Sequence, residues 1–275
     1  MTHLEELENR SIYIIREAYY RFDRLALLWS IGKDSTVLLW LIRKAFFGQV
    51  PIPVMHIDTT FKFPEMYAFR EKWAQEWNLN LIVETNFDAI NAGVNYDNND
   101  AFTCCHELKT VPLKNAIPKY QLDGIFVGIR RDEHGIRSKE RYFSPRDEDF
   151  KWDYANQPTE LWNQFKYKLN TKEVGEKKLK NHFRVHPLLH FTELDIWRYI
   201  EKEDIPVNEL YFSNKGERYR SLGCMPITKP VKSKANSIRK IIKELEVSTE
   251  GERAGRAQDK EDNYTMQNLR SLGYM

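Results

Sequence analysis

The stretch LALLWSIGKDSTVLLWLI, residues 25–42, constrains the fold more than any other part of this sequence. An apolar run ends at Ser30, a small polar and charged segment follows, and an apolar pattern with helical spacing then resumes. This order predicts a buried strand, a tight loop and a helix in immediate succession. Because a helix N-terminus presents unpaired N–H groups and a positive dipole end, we expect the loop to bind phosphate or sulfate.

The residue types in the loop suit an anion site. We expect Gly32 to allow a backbone conformation that a β-carbon would forbid, and Lys33 to supply a positive charge. The loop is not a Walker A motif, because Leu27 replaces the first glycine of that motif and Asp34 replaces the hydroxyl residue after the lysine. A plain strand-to-helix turn with a chance lysine is the alternative. The expected ligand-binding residues of the loop are Ser30, Gly32, Lys33, Asp34, Ser35 and Thr36.

Short β-rich runs alternate with helical patterns along the first half of the chain. The runs lie at residues 25–30, 50–59, 81–85 and 123–130. Such alternation is typical of an α/β fold with a mostly parallel, twisted sheet and helices on both faces. Ligands of such sheets bind at the carboxyl ends of the strands. We therefore expect the loop at Lys33 and the arginines that follow the fourth run to share one site.

Two helices are predicted from finer patterns. Ile12, Ile15, Ala18 and Tyr19 have the spacing of one buried helix face before the first strand. Thr192 and Asp195 form a capping box, which predicts a helix start. From Val207 the composition shifts to glycine, proline, lysine and arginine, so we expect a nucleotide-binding domain over 1–206 and an irregular C-terminal extension over 207–275 that completes the site or a partner interface.

Charge and hydropathy exclude several classes of protein. The 275 residues include 42 Lys and Arg against 40 Asp and Glu, so no global basic field favours nucleic acid or a membrane surface. No apolar run is long enough for a membrane span, and the first residues lack a signal-peptide pattern. Three cysteines, two of them adjacent, do not form a disulfide framework. We expect a cytoplasmic protein.

The motif SIGKDS resembles the PP-loop, SxGxDS, of the adenine nucleotide alpha hydrolase-like superfamily. Members of that Rossmann-like superfamily hold the pyrophosphate of ATP in this loop and cleave between the α and β phosphates. Five further stretches resemble the small catalytic subunit of heterodimeric bacterial sulfate adenylyltransferases. They are HIDTTFKFPEMYAFR, GIRRDEHGIRSKERYFSPRD, VHPLLHFTELDIWRYI, SLGCMPIT and the tail EVSTEGERAGRAQDK with its final LGYM.

The resemblance implies an activity, its cofactors and a partner. In that family sulfate attacks the α-phosphorus of ATP, with magnesium and a GTP-binding large subunit, and gives adenosine 5′-phosphosulfate and pyrophosphate. Lys33 would stabilise the leaving pyrophosphate, and Asp58 would orient the nucleotide or a metal-bound water. Arg253 and Arg256 in the tail would belong to the nucleotide site or the partner interface, with a solvated charged tail as the alternative.

Arg130 and Arg131 follow the fourth predicted strand at the ligand-binding edge of the sheet. The planar guanidinium group suits bidentate contact with sulfate or phosphate, so we expect both arginines to be catalytic, at the attacking sulfate or the α-phosphate. Arg137, Lys139, Arg141 and Arg146 extend this basic cluster, but acidic residues are interleaved with them, and surface ion pairing is the alternative for these four.

The cysteines leave a second interpretation of the function open, that of an iron–sulfur protein. TCCHELKT resembles the adenylylsulfate reductases, whose Cys-Cys pair and later Cys-x-x-Cys hold an iron–sulfur cluster, but here Ile227 stands at the fourth ligand position and no cysteine follows Cys224. A sulfurtransferase of the same superfamily could hold a cluster with Cys104, Cys105 and Cys224 alone. Buried free thiols are the alternative. A non-catalytic nucleotide-binding module would keep the loop without the arginine pair.

Overall fold

The computed structural model describes residues 1–133, 135–153, 171–174, 177–180, 182–248 and 251–252. The α-helices are α1 His3–Arg21, α2 Lys33–Ala45, α3 Pro64–Glu76, α4 Phe87–Asn91, α5 Ala101–Cys105, α6 Val111–Lys119, α7 Glu193–Glu203 and α8 Ile238–Val247. A π-helical turn, His106–Thr110, joins α5 to α6. Short 3₁₀ turns lie at Gly135–Lys139, Glu209–Tyr211 and Met225–Ile227.

The strands form one large sheet and two small antiparallel pairs. They are β1 Leu25–Leu28, β2 Val54–Ile57, β3 Leu81–Glu84, β4 Gly124–Val127, β5 Phe143–Arg146, β6 Thr171–Val174, β7 Lys177–Lys180, β8 His182–Val185, β9 Glu217–Arg218 and β10 Val231–Lys232. The large sheet has six strands in the order β3-β2-β1-β4-β8-β5, in which only β5 runs antiparallel to its neighbour. The predicted mostly parallel α/β fold is confirmed.

The central strand β1 separates two hydrophobic cores. Leu25 and Leu27 join the larger core, which α1, α2 and α7 cover, whereas Ala26 and Leu28 join the core that α6 covers. Successive side chains of a strand point to opposite faces, so helices cover both faces of the sheet. This burial explains why the strands read as continuous apolar runs in the sequence.

The predicted helix before the first strand is confirmed as α1, and three of the four predicted residues face the core. Ile15 and Ala18 are buried and Ile12 is partly buried, whereas the side chain of Tyr19 is 43% exposed. Tyr19 instead packs on Phe46 at the end of α2, with ring centroids 4.7 Å apart.

The predicted start of α7 is confirmed. The Thr192 hydroxyl accepts a hydrogen bond from the Asp195 amide at 3.1 Å, and the Asp195 carboxylate accepts one from the Thr192 amide at 3.0 Å. These two bonds form the capping box that satisfies donors at the helix N-terminus.

Residues 207–237 run in short turns and two-residue strands before α8 begins. Tyr211, Leu222, Ala235 and Ile241 are buried in the larger core. This part of the chain therefore shares the core of the main sheet, and α8 adds a regular helix to it. Across the described ranges, no helix combines the length and the apolar character that crossing a membrane requires.

Candidate functional site

A cavity of about 150 Å³ lies at the carboxyl ends of β1, β2 and β4. This is the edge at which open α/β sheets bind ligands. The segment 221–223 and Tyr211 bring the C-terminal extension to the same cavity. The charged and hydroxyl-bearing residues of its lining include Ser30, Lys33, Asp34, Ser35, Lys62, Lys109, Glu133, Arg137 and Glu252.

The loop between β1 and α2 ends at Gly32, which is the N-cap residue of α2, and the helix begins at Lys33. The Lys33 amide donates a hydrogen bond to the Tyr211 hydroxyl at 2.8 Å. The expectation that Gly32 needs a conformation forbidden to other residues is wrong, because its φ of −80° and ψ of 163° are ordinary extended values. Ile31 instead has a positive φ of 67°, which costs a β-branched residue about 1–3 kcal/mol.

Gly128, one residue after β4, packs so closely against the loop between β1 and α2 that no larger residue fits without a shift. A β-carbon at this position would lie 3.0 Å from both the backbone nitrogen and the Cα of Ser35. The end of β4 therefore approaches the first turn of α2 as closely as a glycine permits. The sequence analysis did not single out this residue, although its position directly after an apolar run was a usable signal.

The three hydroxyls expected in the loop divide between the cavity and the core. Ser30 and Ser35 line the cavity, and their hydroxyl oxygens lie 3.0 Å apart. Thr36 is buried, and its hydroxyl accepts a hydrogen bond from Trp29 Nε1 at 3.1 Å. Among the described residues, Thr36 is not part of the cavity lining, so the structure corrects its expected contact with a ligand.

Lys33, Asp34, Arg130 and Glu252 form a buried ion-pair network, which we call the loop cluster. Lys33 Nζ lies 3.0 Å from Asp34 Oδ2 and also pairs with Glu252. Arg130 pairs with Asp34 and Glu252, and its Nε donates to Asp132 at 2.9 Å. The side chains of Lys33 and Arg130 are 1% and 0% exposed. Two cations are thus concentrated beside the N-terminus of α2.

The charges of the loop cluster support one another. Burial alone raises the pKa of the Glu252 carboxyl, but the charges of Arg130 and Lys33 hold that pKa far below its ordinary value. Burial alone lowers the pKa of the Arg130 guanidinium, and Glu252 with neighbouring carboxylates raises it. Glu252 and Arg130 are therefore both ionised near neutral pH.

Glu252 is a site residue that the sequence analysis missed, although it lies in the tail motif that carried the family resemblance. The analysis singled out Arg253 and Arg256 in that motif, and both lie outside the described residues. Glu252 is buried and reaches a loop that is 219 positions away in the sequence.

Arg131 does not reach the cavity with its neighbour Arg130. Its Nη2 donates to the Glu140 carbonyl at 3.4 Å, and its guanidinium lies over the Tyr142 ring, 5.3 Å from the centroid. Within the described part of the chain, Arg131 is not among the residues that line the cavity. The structure thus corrects the expected placement of Arg131 at sulfate or the α-phosphate, and Arg137 lines the cavity instead.

Asp58 follows β2 but is engaged beside the cavity. Its carboxylate accepts hydrogen bonds from the Thr60 amide at 2.8 Å, the Tyr67 hydroxyl at 2.9 Å and Arg70 Nη1 at 3.2 Å. Burial raises the pKa of this carboxyl, but these hydrogen bonds together lower the pKa by more than burial raises it, so the net shift is downward. Asp58 is not among the described lining residues, and its contacts order the loop that carries Lys62.

Lys109, another residue of the cavity lining, belongs to a second set of groups, which we call the thiol cluster. Its members are the buried Thr59, Cys105, Lys109 and Cys224 and the partly buried Tyr96. Lys109 Nζ donates to Cys105 Sγ at 3.4 Å, and Thr59 Oγ1 lies 3.2 Å from Cys224 Sγ. The cluster therefore holds a lysine ammonium between thiols and the ligand space.

The thiols differ in acidity. Burial raises the pKa of the Cys224 thiol, but the positive charges of Lys109 and Lys62 outweigh it and lower the pKa to about 6. Burial raises the pKa of Cys104 to about 11. The Cys104 thiol donates to the Asn95 carbonyl at 3.1 Å in a separate apolar cluster. Cys224 is therefore a thiolate at neutral pH, and Cys104 is a thiol.

The three cysteines do not form one ligand set. Cys105 and Cys224 share a hydrophobic cluster, while Cys104 belongs to another. In the ranges that the structure describes, no group of three or more His, Cys, Asp or Glu side chains is placed to hold a metal ion. The described residues thus do not fit the iron–sulfur cluster that the sequence left open for Cys104, Cys105 and Cys224.

The sequence is similar to known proteins over most or all of its length. Residues 24–230 match the family described as "Phosphoadenosine phosphosulfate reductase domain". Sulfate adenylyltransferase subunit 2 of Aliivibrio fischeri strain MJ11 is 40% identical, and the match covers 100% of this chain and 98% of that protein.

Two solved structures share the fold. Candida glabrata FMN adenylyltransferase in complex with ATP is 20% identical, with a TM-score of 0.56 over 82% of this chain and 63% of that one. The phosphoadenylyl-sulfate reductase of Candida auris, in a phosphate complex, is 18% identical, with a TM-score of 0.52 over 84% of this chain and 98% of that one.

Proposed function

The chain belongs to the sulfate adenylyltransferase subunit 2 family, and from this premise we propose that it transfers the adenylyl group of ATP to sulfate. A sulfate oxygen forms a bond to the α-phosphorus, the bond from that phosphorus to the oxygen bridging to the β-phosphorus breaks, and pyrophosphate leaves. The observation that carries the proposal is one cavity lined by cations from separate segments, Lys33 at the helix N-terminus and Lys109 in the thiol cluster.

The loop side of the cavity is proposed to hold the pyrophosphate of ATP. The N-terminus of α2 directs backbone N–H groups and a positive dipole toward the cavity, and Lys33, Ser30 and Ser35 add a charge and two hydroxyls. Lys33 and Arg130 would stabilise the negative charge that develops on the leaving group. Such a transfer depends on positioning and charge neutralisation more than on covalent chemistry by the protein.

The thiol-cluster side of the cavity is proposed to hold sulfate. Arg137 lines the cavity but pairs with Glu133, whose charge acts on Arg130 of the loop cluster. Lys62 and Lys109 line the cavity and both act on Cys224, and a lysine ammonium donates hydrogen bonds without accepting them. These cations replace Arg131 as the sulfate-binding groups that the sequence analysis sought. Contact with Lys109 would orient the attacking oxygen toward the α-phosphorus and offset the charge repulsion between sulfate and ATP.

Magnesium is proposed to accompany ATP. This ion commonly binds through substrate phosphates and one or two carboxylates, and Asp34 and Glu133 are carboxylates of the lining. The donor set therefore fits magnesium carried by a nucleotide, with Asp34 and Glu133 as the residues that would hold it. Bound there, the ion would offset phosphate charge during the transfer.

The C-terminal extension is proposed to complete the site. We retain the proposed division into a nucleotide-binding domain, 1–206, and an extension, 207–275. The support is that the extension contributes Tyr211, the segment 221–223 and Glu252 to the lining of the cavity. Asp58, Arg253 and Arg256 remain proposed nucleotide-side residues, Asp58 acting through the loop that it orders.

A second subunit and a cytoplasmic location complete the proposal. The relatives are named as subunit 2, so their enzyme contains another subunit, and we propose a GTP-binding partner for this chain. Cys104, Cys105 and Cys224 form no disulfide bond within the described part of the chain, which suits a reducing compartment.

The test is exchange of labelled pyrophosphate into ATP, measured with magnesium and with the GTP-binding subunit. We expect exchange that requires sulfate, because only sulfate turnover returns pyrophosphate to ATP. Exchange without sulfate, or none with it, would contradict the proposal. Release of sulfite and AMP from adenosine 5′-phosphosulfate in the presence of a dithiol reductant, measured in parallel, would favour a reductase, which we do not expect because no cysteine follows Cys224.

A further inference from the structure

Glu252 puts a carboxylate into the loop cluster, at the place where the proposed function puts pyrophosphate. Its two oxygens pair with different cations, one with Lys33 and the other with Arg130. The carboxylate lines the cavity beside the N-terminus of α2. A carboxylate held by two cations at a helix N-terminus has the contacts that a phosphate group would make there.

The charge of the loop cluster explains why an anion must be present. Lys33 and Arg130 are fully buried, and a buried cation without a counter-charge is strongly unfavourable. Asp34 contacts both cations, Asp132 contacts Arg130, and Glu252 adds a further negative charge that contacts both cations. The phosphates of ATP would bring further negative charge to the same two cations. Glu252 and a phosphate group therefore compete for one set of donors.

We propose that Glu252 is an internal competitor of pyrophosphate, which occupies Lys33 and Arg130 in the nucleotide-free chain and leaves them when the phosphates of ATP bind. It returns to the same cations as pyrophosphate departs. This inference rests on the proposed function and extends it, because it assigns a residue that sets the affinity for ATP and speeds product release. The exchange is non-covalent, and the two cations keep a counter-charge throughout.

The competing explanation is that Glu252 is a permanent structural ion pair. In that case its loss would weaken the site, because Lys33 and Arg130 would lose the group that positions them. The two explanations make opposite predictions for anion affinity. An internal competitor lowers the apparent affinity for pyrophosphate, because only molecules in which Glu252 has left the two cations can bind the anion. Removal of the competitor therefore raises the affinity.

The experiment is calorimetric titration of the full chain with pyrophosphate, in the wild type and in Glu252→Gln. Glutamine keeps the size of the side chain and removes the charge. We expect pyrophosphate to bind roughly tenfold or more tightly to Glu252→Gln, since it no longer has to displace a charged hydrogen-bond acceptor from Lys33 and Arg130. Equal or weaker binding by the variant would overturn the inference.

Glu246→Gln is the matched control. Glu246 lies near the end of α8, its side chain is 43% exposed, and it pairs with Arg198 on the surface at 2.7 Å. The same chemical change there should leave the affinity for pyrophosphate unchanged. A gain in affinity in both variants would reflect the general loss of a negative charge and would contradict a specific competitor.

A second measurement keeps the inference testable if Glu252→Gln does not fold. Amide hydrogen exchange is followed in the wild-type chain with and without pyrophosphate. We expect exchange at Gly251 and Glu252 to become faster while exchange in the loop at Lys33 becomes slower. Slower or unchanged exchange at Gly251 and Glu252 with protection at the loop would overturn the inference.

The outcomes separate this inference from the proposed function. If the wild type binds pyrophosphate and the variant binds it no better, the competitor fails and the adenylyl transfer stands. If neither protein binds pyrophosphate, the assignment of the loop to ATP fails and the competitor fails with it.

Discussion

The two sides of the cavity hold their cations in different ways. In the loop cluster, the carboxylates of Asp34 and Glu252 contact Lys33 and Arg130. In the thiol cluster, Lys109 donates to a thiol four positions earlier in the sequence. Carboxylates stay ionised throughout the neutral range, whereas the pKa of the Cys224 thiol is about 6. The loop side therefore has a fixed charge, and the charge of the thiol cluster depends on pH.

Lys33→Met should produce the largest effect, because it removes the cation nearest to the leaving group and leaves Glu252 with one partner fewer. We expect sulfate-dependent exchange of pyrophosphate into ATP to fall by about 10²–10³-fold, as for loss of a preorganised charge at a reacting centre. The control is Lys44→Met at the other end of α2, where the lysine pairs with Glu8 and Glu203. An equal loss in both variants would show that helix stability, and not the charge of the loop cluster, supports activity.

Lys109→Met should have the next largest effect, and one confined to sulfate. We expect kcat/KM for sulfate to fall on the order of tenfold to a hundredfold, from the loss of a charged hydrogen bond, with the affinity for ATP nearly unchanged. Arg131→Ala is the comparison, because Arg131 stacks on Tyr142 outside the described lining, and we expect a change of less than about threefold. A larger loss of sulfate turnover in Arg131→Ala than in Lys109→Met would place the sulfate site elsewhere.

Gly128→Ala should have a moderate effect on the loop side. Its new β-carbon would meet the Ser35 backbone at 3.0 Å and displace the first turn of α2. We expect a KM for ATP about three- to tenfold higher and a loss of stability of about 1–3 kcal/mol from overpacking. Gly32→Ala should perturb both less, because a β-carbon there lies 3.4 Å from the Ser30 hydroxyl at an ordinary φ. If Gly32→Ala raised the KM for ATP more than Gly128→Ala did, Gly32 would be the more important of the two glycines for ATP binding.

The smallest effect concerns pH and the thiol cluster. The pKa of Cys224 falls from 9.0 to about 6 on folding, so the unfolded chain binds more protons between these values. The thiolate therefore stabilises the fold fully above about pH 9, and this contribution is lost as the pH falls to about 6. The difference in the free energy of unfolding between wild type and Cys224→Ala should shrink from pH 9 to pH 6.

Cys104→Ala is the control for this pH dependence. Folding raises the pKa of Cys104 from 9.0 to about 11, so its contribution is present below pH 9 and is lost only as the pH rises through 11. Denaturant titrations at several pH values should therefore give a constant difference for Cys104→Ala over the interval in which Cys224→Ala changes. A constant difference for Cys224→Ala would mean that Lys109 does not stabilise a thiolate.

The sheet and the loop were predictable because their signals are local. Buried parallel strands read as apolar runs, and the residues of an anion-binding loop are neighbours in sequence. The division between Arg130 and Arg131 was not predictable, because successive side chains of an extended segment point in different directions and the pattern does not say which one faces the ligand. One reached the loop cluster and the other reached Tyr142.

The rest of the site depends on long-range packing. Lys62, Lys109, Arg137 and Glu252 come from four separate segments, and each reaches the cavity only through the order of the strands and the path of the extension over the core. Each is also an ordinary charged residue that a sequence would place on the surface. Their burial in one cavity is the information that the structure adds.

The most direct test is a crystal structure of the chain with adenosine 5′-phosphosulfate and pyrophosphate. We expect pyrophosphate oxygens within hydrogen-bond distance of Lys33, with Glu252 displaced, and the sulfate group of the nucleotide on the side of Lys109. Sulfate against Arg131, or pyrophosphate against the thiol cluster with Glu252 still paired to Lys33, would contradict the assignment of the two sides of the cavity.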